Sequence, residues 1–96
     1  MLFTDLHNKK QQIIAAVQKY GGLEVQVFGS VARGEETPDS DVDFLVEFPS
    51  GYDIFLQRIP LQEELEAIVG RPVDLVVKRE LNRHIRDAVL REAKDL

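Results

Sequence analysis

The chain has 96 residues, 44% of them apolar and 30% charged, and carries no cysteine. That length suits a single domain, residues 1–96, with one modest core, while the absence of thiols excludes disulfides and thiolate metal sites. Twelve basic against seventeen acidic residues leave a formal charge of −5, the wrong sign for a general nucleic-acid binder, which needs a basic face to displace counterions.

At the start, Met1-Leu2-Phe3-Thr4-Asp5 meets polar and charged residues at once, unlike a signal peptide. No apolar run approaches the ~20 residues of a spanning helix, so the expected compartment is the cytoplasm. Residues 4–20 are expected to form one amphipathic helix, with Leu6, Ile13, Ile14, Val17 and Tyr20 at helical spacing and Gly21-Gly22 as the stop. Glu24 to Phe28 alternates with period two and reads as a strand, Val25 and Val27 sharing a face. Gly29-Ser30 opens a short helical stretch ending near Gly34, and Pro38-Asp39-Ser40 is turn chemistry.

The second strand is expected at Val42 to Phe48, with Val42, Phe44 and Val46 on one side and Asp43, Leu45 and Glu47 on the other. A helix follows, irregular around Pro60 and regular from Leu61, with Leu61, Leu65, Ile68 and Val69 in one stripe and Gly70 as its cap. Phe55, Leu56 and Ile59, before it, either complete the core or form a surface for a partner. Val73 to Val77 is a short apolar strand carrying one charge, Asp74. Leu81 to Leu96 reads as a last amphipathic helix, with Ile85, Val89, Ala93 and Leu96 in register. Arg79, Arg83, Arg86, Arg91 and Lys94 are interleaved there with Glu80, Asp87, Glu92 and Asp95, the pattern of a solvated face with i,i+4 pairs. The sum is a small α/β (α+β) domain, three strands in one mixed sheet covered by helices.

Chemistry concentrates in two stretches. Where the first strand runs into Gly29-Ser30, the unpaired N–H groups of a helical start point at any anion docked on them. Gly29 allows close approach, and Ser30 can cap the helix or donate to a phosphate oxygen. Arg33, one turn on, either reaches the same anion or pairs with Glu35, Glu36 or Asp39. Downstream, Asp41 and Asp43 leave one face where a strand begins, and two carboxylates so placed suit a divalent cation, Mg²⁺ best. Asp74 shares that face if its strand lies beside Val42 to Phe48. Three carboxylates beside a phosphate cradle are equipment for in-line phosphoryl transfer with two metal ions.

Other motifs fail on detail. Gly29 and Gly34 have P-loop spacing, yet Glu35-Glu36 stand where Lys-Ser/Thr is required. A calcium loop starting at Asp39 lacks its glycine and terminal glutamate, where Phe44 and Ser50 stand. His7 and His84 sit apart and read as surface residues rather than zinc ligands.

Taken together, Phe28-Gly29-Ser30-x-Ala32-Arg33-Gly34 and Ser40-Asp41-x-Asp43-Phe44-Leu45-Val46 resemble the signature of the polymerase-beta-like nucleotidyltransferase superfamily, in its minimal branch. Gly70-Arg71-Pro72-Val73-Asp74-Leu75-Val76 is similar to that branch's third-carboxylate strand, and Ile85-Arg86 to Leu90-Arg91-Glu92-Ala93 to its last helix. The resemblance implies the nucleotidyltransferase fold, with Asp41 and Asp43 binding two Mg²⁺ ions (Mn²⁺ substituting). It further implies that Asp74 binds the catalytic ion and helps deprotonate the acceptor, and that Gly29 and Ser30 hold the triphosphate of ATP or another NTP, assisted by Arg33. Minimal members are often antitoxins that add AMP to a tyrosine of a HEPN-type ribonuclease toxin, so such a partner is expected. Two alternatives stand beside this: an antitoxin that neutralises by binding alone, and transfer to a small-molecule alcohol.

Overall fold

Lys9 divides the expected first helix. The computed structural model, which describes residues 2–96, has α1 at Leu2–Asn8 and α2 at Lys10–Lys19, with Lys9 out of helical geometry at φ −100, ψ 12. The apolar spacing survives the break, because Leu6 on α1 and Ile13 and Val17 on α2 are all buried. β1 (Glu24–Phe28) leads into α3 (Gly29–Arg33), and β2 (Val42–Glu47) follows a loop. A single π-helical turn, Ile54–Arg58, then precedes α4 (Ile59–Val69). β3 (Val73–Val77), a 3-10 turn (Lys78–Glu80) and α5 (Arg83–Glu92) complete the order.

The sheet has the order β1-β2-β3. β1 is antiparallel to β2, and β3 is parallel to β2; a parallel pair needs a crossover, which α4 provides. One face carries the core, where Val27, Val42, Phe44, Val46, Val73, Leu75 and Val77 meet Leu6, Ile13 and Val17 from α1 and α2 and Leu61, Leu65 and Val69 from α4. The opposite face holds the rows Phe28–Asp43–Asp74 and Gln26–Leu45–Val76. Leu45, which strand alternation puts on the polar side, is only 2% exposed, so that face is covered as well at its central row.

Local chemistry explains the irregular stretch before α4. The Asp53 carboxylate accepts from the Phe55 and Leu56 N–H groups (2.8 and 2.9 Å) and caps the π turn. Pro60 stands in the first turn of α4, where its missing N–H costs nothing. Gly70 ends the helix with φ 71, a left-handed conformation that suits glycine. The last helix departs further from expectation. α5 stops at Glu92, Ala93 is extended, and Lys94 exchanges backbone hydrogen bonds with Val27 (2.9 and 2.8 Å), adding a bridge to the edge of β1. Ile85 is 52% exposed, whereas Leu96 packs into the core through the extended end. Among the described residues no ion pair lies within α5, so its charges do not form the expected i,i+4 ladder.

The outer edge of β3 is closed by side chains of α4 and the turn before it. Glu66 accepts from the Val73 N–H (2.9 Å), Gln62 donates to the Val73 carbonyl (3.0 Å) and Arg58 donates to the Leu75 carbonyl (3.0 Å). No described helix is long and apolar enough to cross a membrane. Replacing Glu66 with Ala strands the Val73 N–H in a partly buried place, at a cost of about 1–2 kcal/mol. Urea unfolding of the E66A chain checks this; a midpoint equal to the parent's contradicts it.

Candidate active site

β1 delivers the chain to Gly29, which turns at φ 74 into the five residues of α3. The turn sits against the start of β2. Phe28 is the register partner of Asp43, and a Cβ built on Gly29 would collide with the Asp43 carboxylate. Glycine is therefore required twice, by the backbone angle and by the side chain lying where its own would go. Ser30 follows, half-buried, and its carbonyl accepts from the Glu35 N–H (2.9 Å) as α3 ends at Gly34, itself left-handed at φ 71.

The loop from α3 to β2 is pinned rather than free. The Thr37 N–H donates to Ser40 Oγ (2.8 Å) and the Ser40 N–H to the Thr37 carbonyl (3.0 Å), closing the turn around Pro38-Asp39. Arg71, in the connection between α4 and β3, donates to the carbonyls of Thr37 (3.0 Å) and Ser40 (3.2 Å). One guanidinium thus ties the approach to Asp41 to the approach to Asp74. Its role is not visible in the local pattern Gly70-Arg71-Pro72, because both acceptors are backbone atoms more than thirty residues away.

Of the three aspartates, Asp43 and Asp74 share one face of the sheet, and Asp41 stands just before it. Asp43 and Asp74 are register partners on adjacent parallel strands, which run ~4.8 Å apart, and Asp41 precedes β2 by one residue. Asp41 and Asp74 are exposed, while Asp43 is half-buried. The Asp43 carboxyl is pushed up to about 6, first by burial, then by the charges of Asp74 and Asp41; Glu92 adds to this and Arg33 opposes it. Hard oxygen donors that repel one another are a set that suits a divalent cation such as Mg²⁺. In the present arrangement, no three acidic or imidazole side chains among the described residues stand close enough to hold an ion together. Asp43 and Asp74 form the close pair and Asp41 flanks it. A groove of about 320 Å³ between α2 and the outer edge of β1, lined by Ile14, Val17, Leu23 and Val25, lies apart from these carboxylates.

Arg33 is already engaged. Its Nη1 donates to Glu92 Oε2 (2.9 Å), and its Nε lies 3.5 Å from Glu35. Of the acidic partners open to it from sequence, Glu35 is realised, while the nearer one, Glu92, arrives from the end of α5. The pairing pushes the guanidinium's pKa further above its ordinary value, led by the hydrogen bond to Glu92. The other Glu92 oxygen accepts from the Gly29 N–H at 2.6 Å. One carboxylate therefore holds the Gly29 N–H and the Arg33 guanidinium together, and Glu92 is a site residue that the interleaved charges of the last helix do not reveal. His7 and His84 are exposed on separate helices, His7 facing the Leu96 carbonyl.

The raised Asp43 carboxyl fixes a pH dependence. The folded state holds that proton up to about 6, whereas the reference value is 3.8. Between those values the native state binds more protons than the unfolded one, so the metal-free protein loses stability as pH rises through the window. Asp43→Asn removes this contribution, and melting curves of both proteins from pH 4 to pH 7 should show the variant gaining on the parent. Equal slopes for the two would contradict the assignment.

Comparison with known proteins identifies the family. Residues 10–96 fit the model of the nucleotidyltransferase domain. The protein adenylyltransferase MntA of Thermococcus cleftensis is 48% identical over 75 residues, covering 78% of this chain and 75% of that one. A solved structure described as a minimal nucleotidyltransferase superposes with a TM-score of 0.85 at 41% identity, covering 99% of this chain and 95% of its own. A chain from the toxin–antitoxin pair MntA-HpeT superposes with a TM-score of 0.72 at 26% identity, covering 90% of this chain and 69% of its own. Turn, carboxylate row and crossover helix stand in a chain that matches from residue 10 to its last residue, and it belongs to the nucleotidyltransferase domain family.

Proposed function

We propose that this enzyme moves AMP from ATP to a tyrosine hydroxyl of a partner protein, a HEPN-type ribonuclease toxin, and so acts as its antitoxin. The observation that carries the reading is the register pairing of Asp43 with Asp74 directly beside the Gly29-Ser30 turn. The adenylyltransferase name of a relative at 48% identity supports AMP as the group and protein as the acceptor. The toxin–antitoxin context of a solved relative supports the antitoxin role.

The reaction is in-line displacement at the α-phosphorus. A bond forms from the acceptor oxygen to phosphorus, the bond to the β-phosphate oxygen breaks, and pyrophosphate leaves. Ser30 and the amides of its turn meet the triphosphate, with Arg33 behind them. Asp41 and Asp43 would hold two Mg²⁺ ions (Mn²⁺ substituting), and Asp74 would share one of them. Bound there, the ions supply neutralisation of the triphosphate and of the charge that develops on the attacking and leaving oxygens. Asp74, exposed at the open side of the row, takes the acceptor's proton.

A partner supplies what the domain lacks. Few residues beyond the turn and carboxylates remain to orient an acceptor, and orientation is a large part of catalysis here. The apolar residues around the start of α4 do not complete the core. Phe55 and Leu56 are 77% and 72% exposed, and Ile54 and Ile59 are exposed beside them, a patch of the kind that marks interaction surfaces. Tyr52 and Arg58 bond to Glu80, just past β3, so the patch lies at the end of the sheet away from Asp41 and Asp43. It favours a partner that grips the domain beyond the catalytic face, and it keeps alive the second reading, neutralisation by binding alone.

Two outcomes decide between them. Asp43→Asn or Asp41→Asn leaves the fold intact and lowers labelling of the partner with radioactive ATP by about a hundredfold or more, since each ion contributes several kcal/mol. Near-normal labelling by D43N sinks the catalytic reading. Phe55→Asp combined with Leu56→Asp leaves the melting temperature within a few degrees and abolishes co-purification with the partner. Undiminished co-purification removes the patch from the interface.

A further inference from the structure

The geometry points to Glu92 as a positioning residue for nucleotide transfer: by gripping the Gly29 amide and the Arg33 guanidinium together, the last turn of α5 fixes the turn that receives the triphosphate. The inference rests on the transfer reading of that turn. Each Glu92 oxygen has one partner, Gly29 N–H at 2.6 Å and Arg33 Nη1 at 2.9 Å. Both are charge-assisted bonds, shorter and stronger than neutral ones.

Three features make this a built clamp rather than a chance surface pair. Gly29 at φ 74 has no side chain to hold it, and glycine passes easily between positive and negative φ, so its conformation must be held from outside. Two residues beyond Glu92, Lys94 exchanges both backbone bonds with Val27, so positions 92 and 94 hold positions 29 and 27. Finally, Glu92 is the last residue of α5, where a negative charge opposes the helix dipole. The guanidinium and amide compensate a charge that the helix itself disfavours. The same pairing keeps Glu92 from standing as an unbalanced negative charge beside Asp43, whose carboxyl it already raises.

The experiment compares the parent, Glu92→Ala and Glu92→Gln, the last retaining an acceptor for the Gly29 N–H but losing the ion pair. Amide hydrogen exchange by NMR on the whole chain should show Gly29 and Ser30 exchanging about tenfold faster or more in E92A, with the β2 amides unchanged and E92Q in between. In AMP transfer to the partner, kcat of E92A should fall about tenfold or more while KM for ATP stays within about threefold. Unchanged exchange at Gly29 overturns the proposal. So does acceleration shared equally by β2, which makes Glu92 a general stabiliser. A fall in KM with kcat intact also overturns it, because Glu92 would then merely occupy the phosphate's place. A parent that labels no acceptor defeats the transfer reading, whereas the exchange measurement still judges the clamp.

Discussion

The space beside the Gly29 Cα is the constraint from which the site follows. The Asp43 carboxylate lies where a side chain at position 29 would be, so β1 can end next to β2 only by turning through a residue that has none. The turn brings the amides of α3 within reach of the carboxylate row, anion receptor beside anions. Antiparallel pairing of β1 with β2 sets Phe28 opposite Asp43, and parallel pairing of β2 with β3 sets Asp74 beside it. A one-residue slip in either pairing would carry Asp43 or Asp74 to the core face, where a charge without a partner is expensive.

Electrostatically the site is poised, not relaxed. Asp43 and Asp74 stand side by side at one end of the sheet with Asp41 flanking them, and half-burial of Asp43 adds to the repulsion. Arg33, whose charge opposes the row, is itself paired with Glu92 and Glu35 and offsets it only in part. Instability stored in this way is typical of functional sites, where the surrounding fold holds groups in an arrangement they would not choose. Here the fold does so through Arg71, which ties the loop before Asp41 to the connection before Asp74, and through the core face of the same strands.

Much of this was legible in the residues. Alternation along Val42 to Glu47 and Val73 to Val77 puts Asp43 and Asp74 on the polar sides of their own strands, the adjacency of those strands makes the two sides one face, and the signature spacing points to the turn. What stayed hidden depends on long-range partners. Spacing along a helix reveals neighbours three or four residues apart, whereas Glu92 meets Arg33 across 59 positions. It therefore reads as one more solvated charge. The break at Lys9 leaves the apolar period of residues 6 to 17 intact, so periodicity alone runs through it. Spacing carries α5 on to Leu96 because that residue continues the helical apolar phase, although it reaches the core by an extended path after Lys94 bridges Val27. The two readings of Phe55 and Leu56 could not be separated by composition, since an apolar residue before a buried helix suits either. In the structure the two residues lie in the π turn that Asp53 caps, and both are exposed.

The side chains that close β3 also limit how this scaffold can grow. Arg58, Gln62 and Glu66 stand where a neighbouring strand would lie and consume the backbone groups it would need. Sheets that leave such an edge open invite pairing with other chains. This domain has an insulated margin on the β3 side, and on the other side Lys94 covers only Val27. A larger enzyme built on the same three strands has one margin available for a fourth, the β1 side, next to the groove lined by Leu23 and Val25. Enlargement by that route would leave the carboxylate row untouched, but would have to displace or extend the chain segment that follows α5.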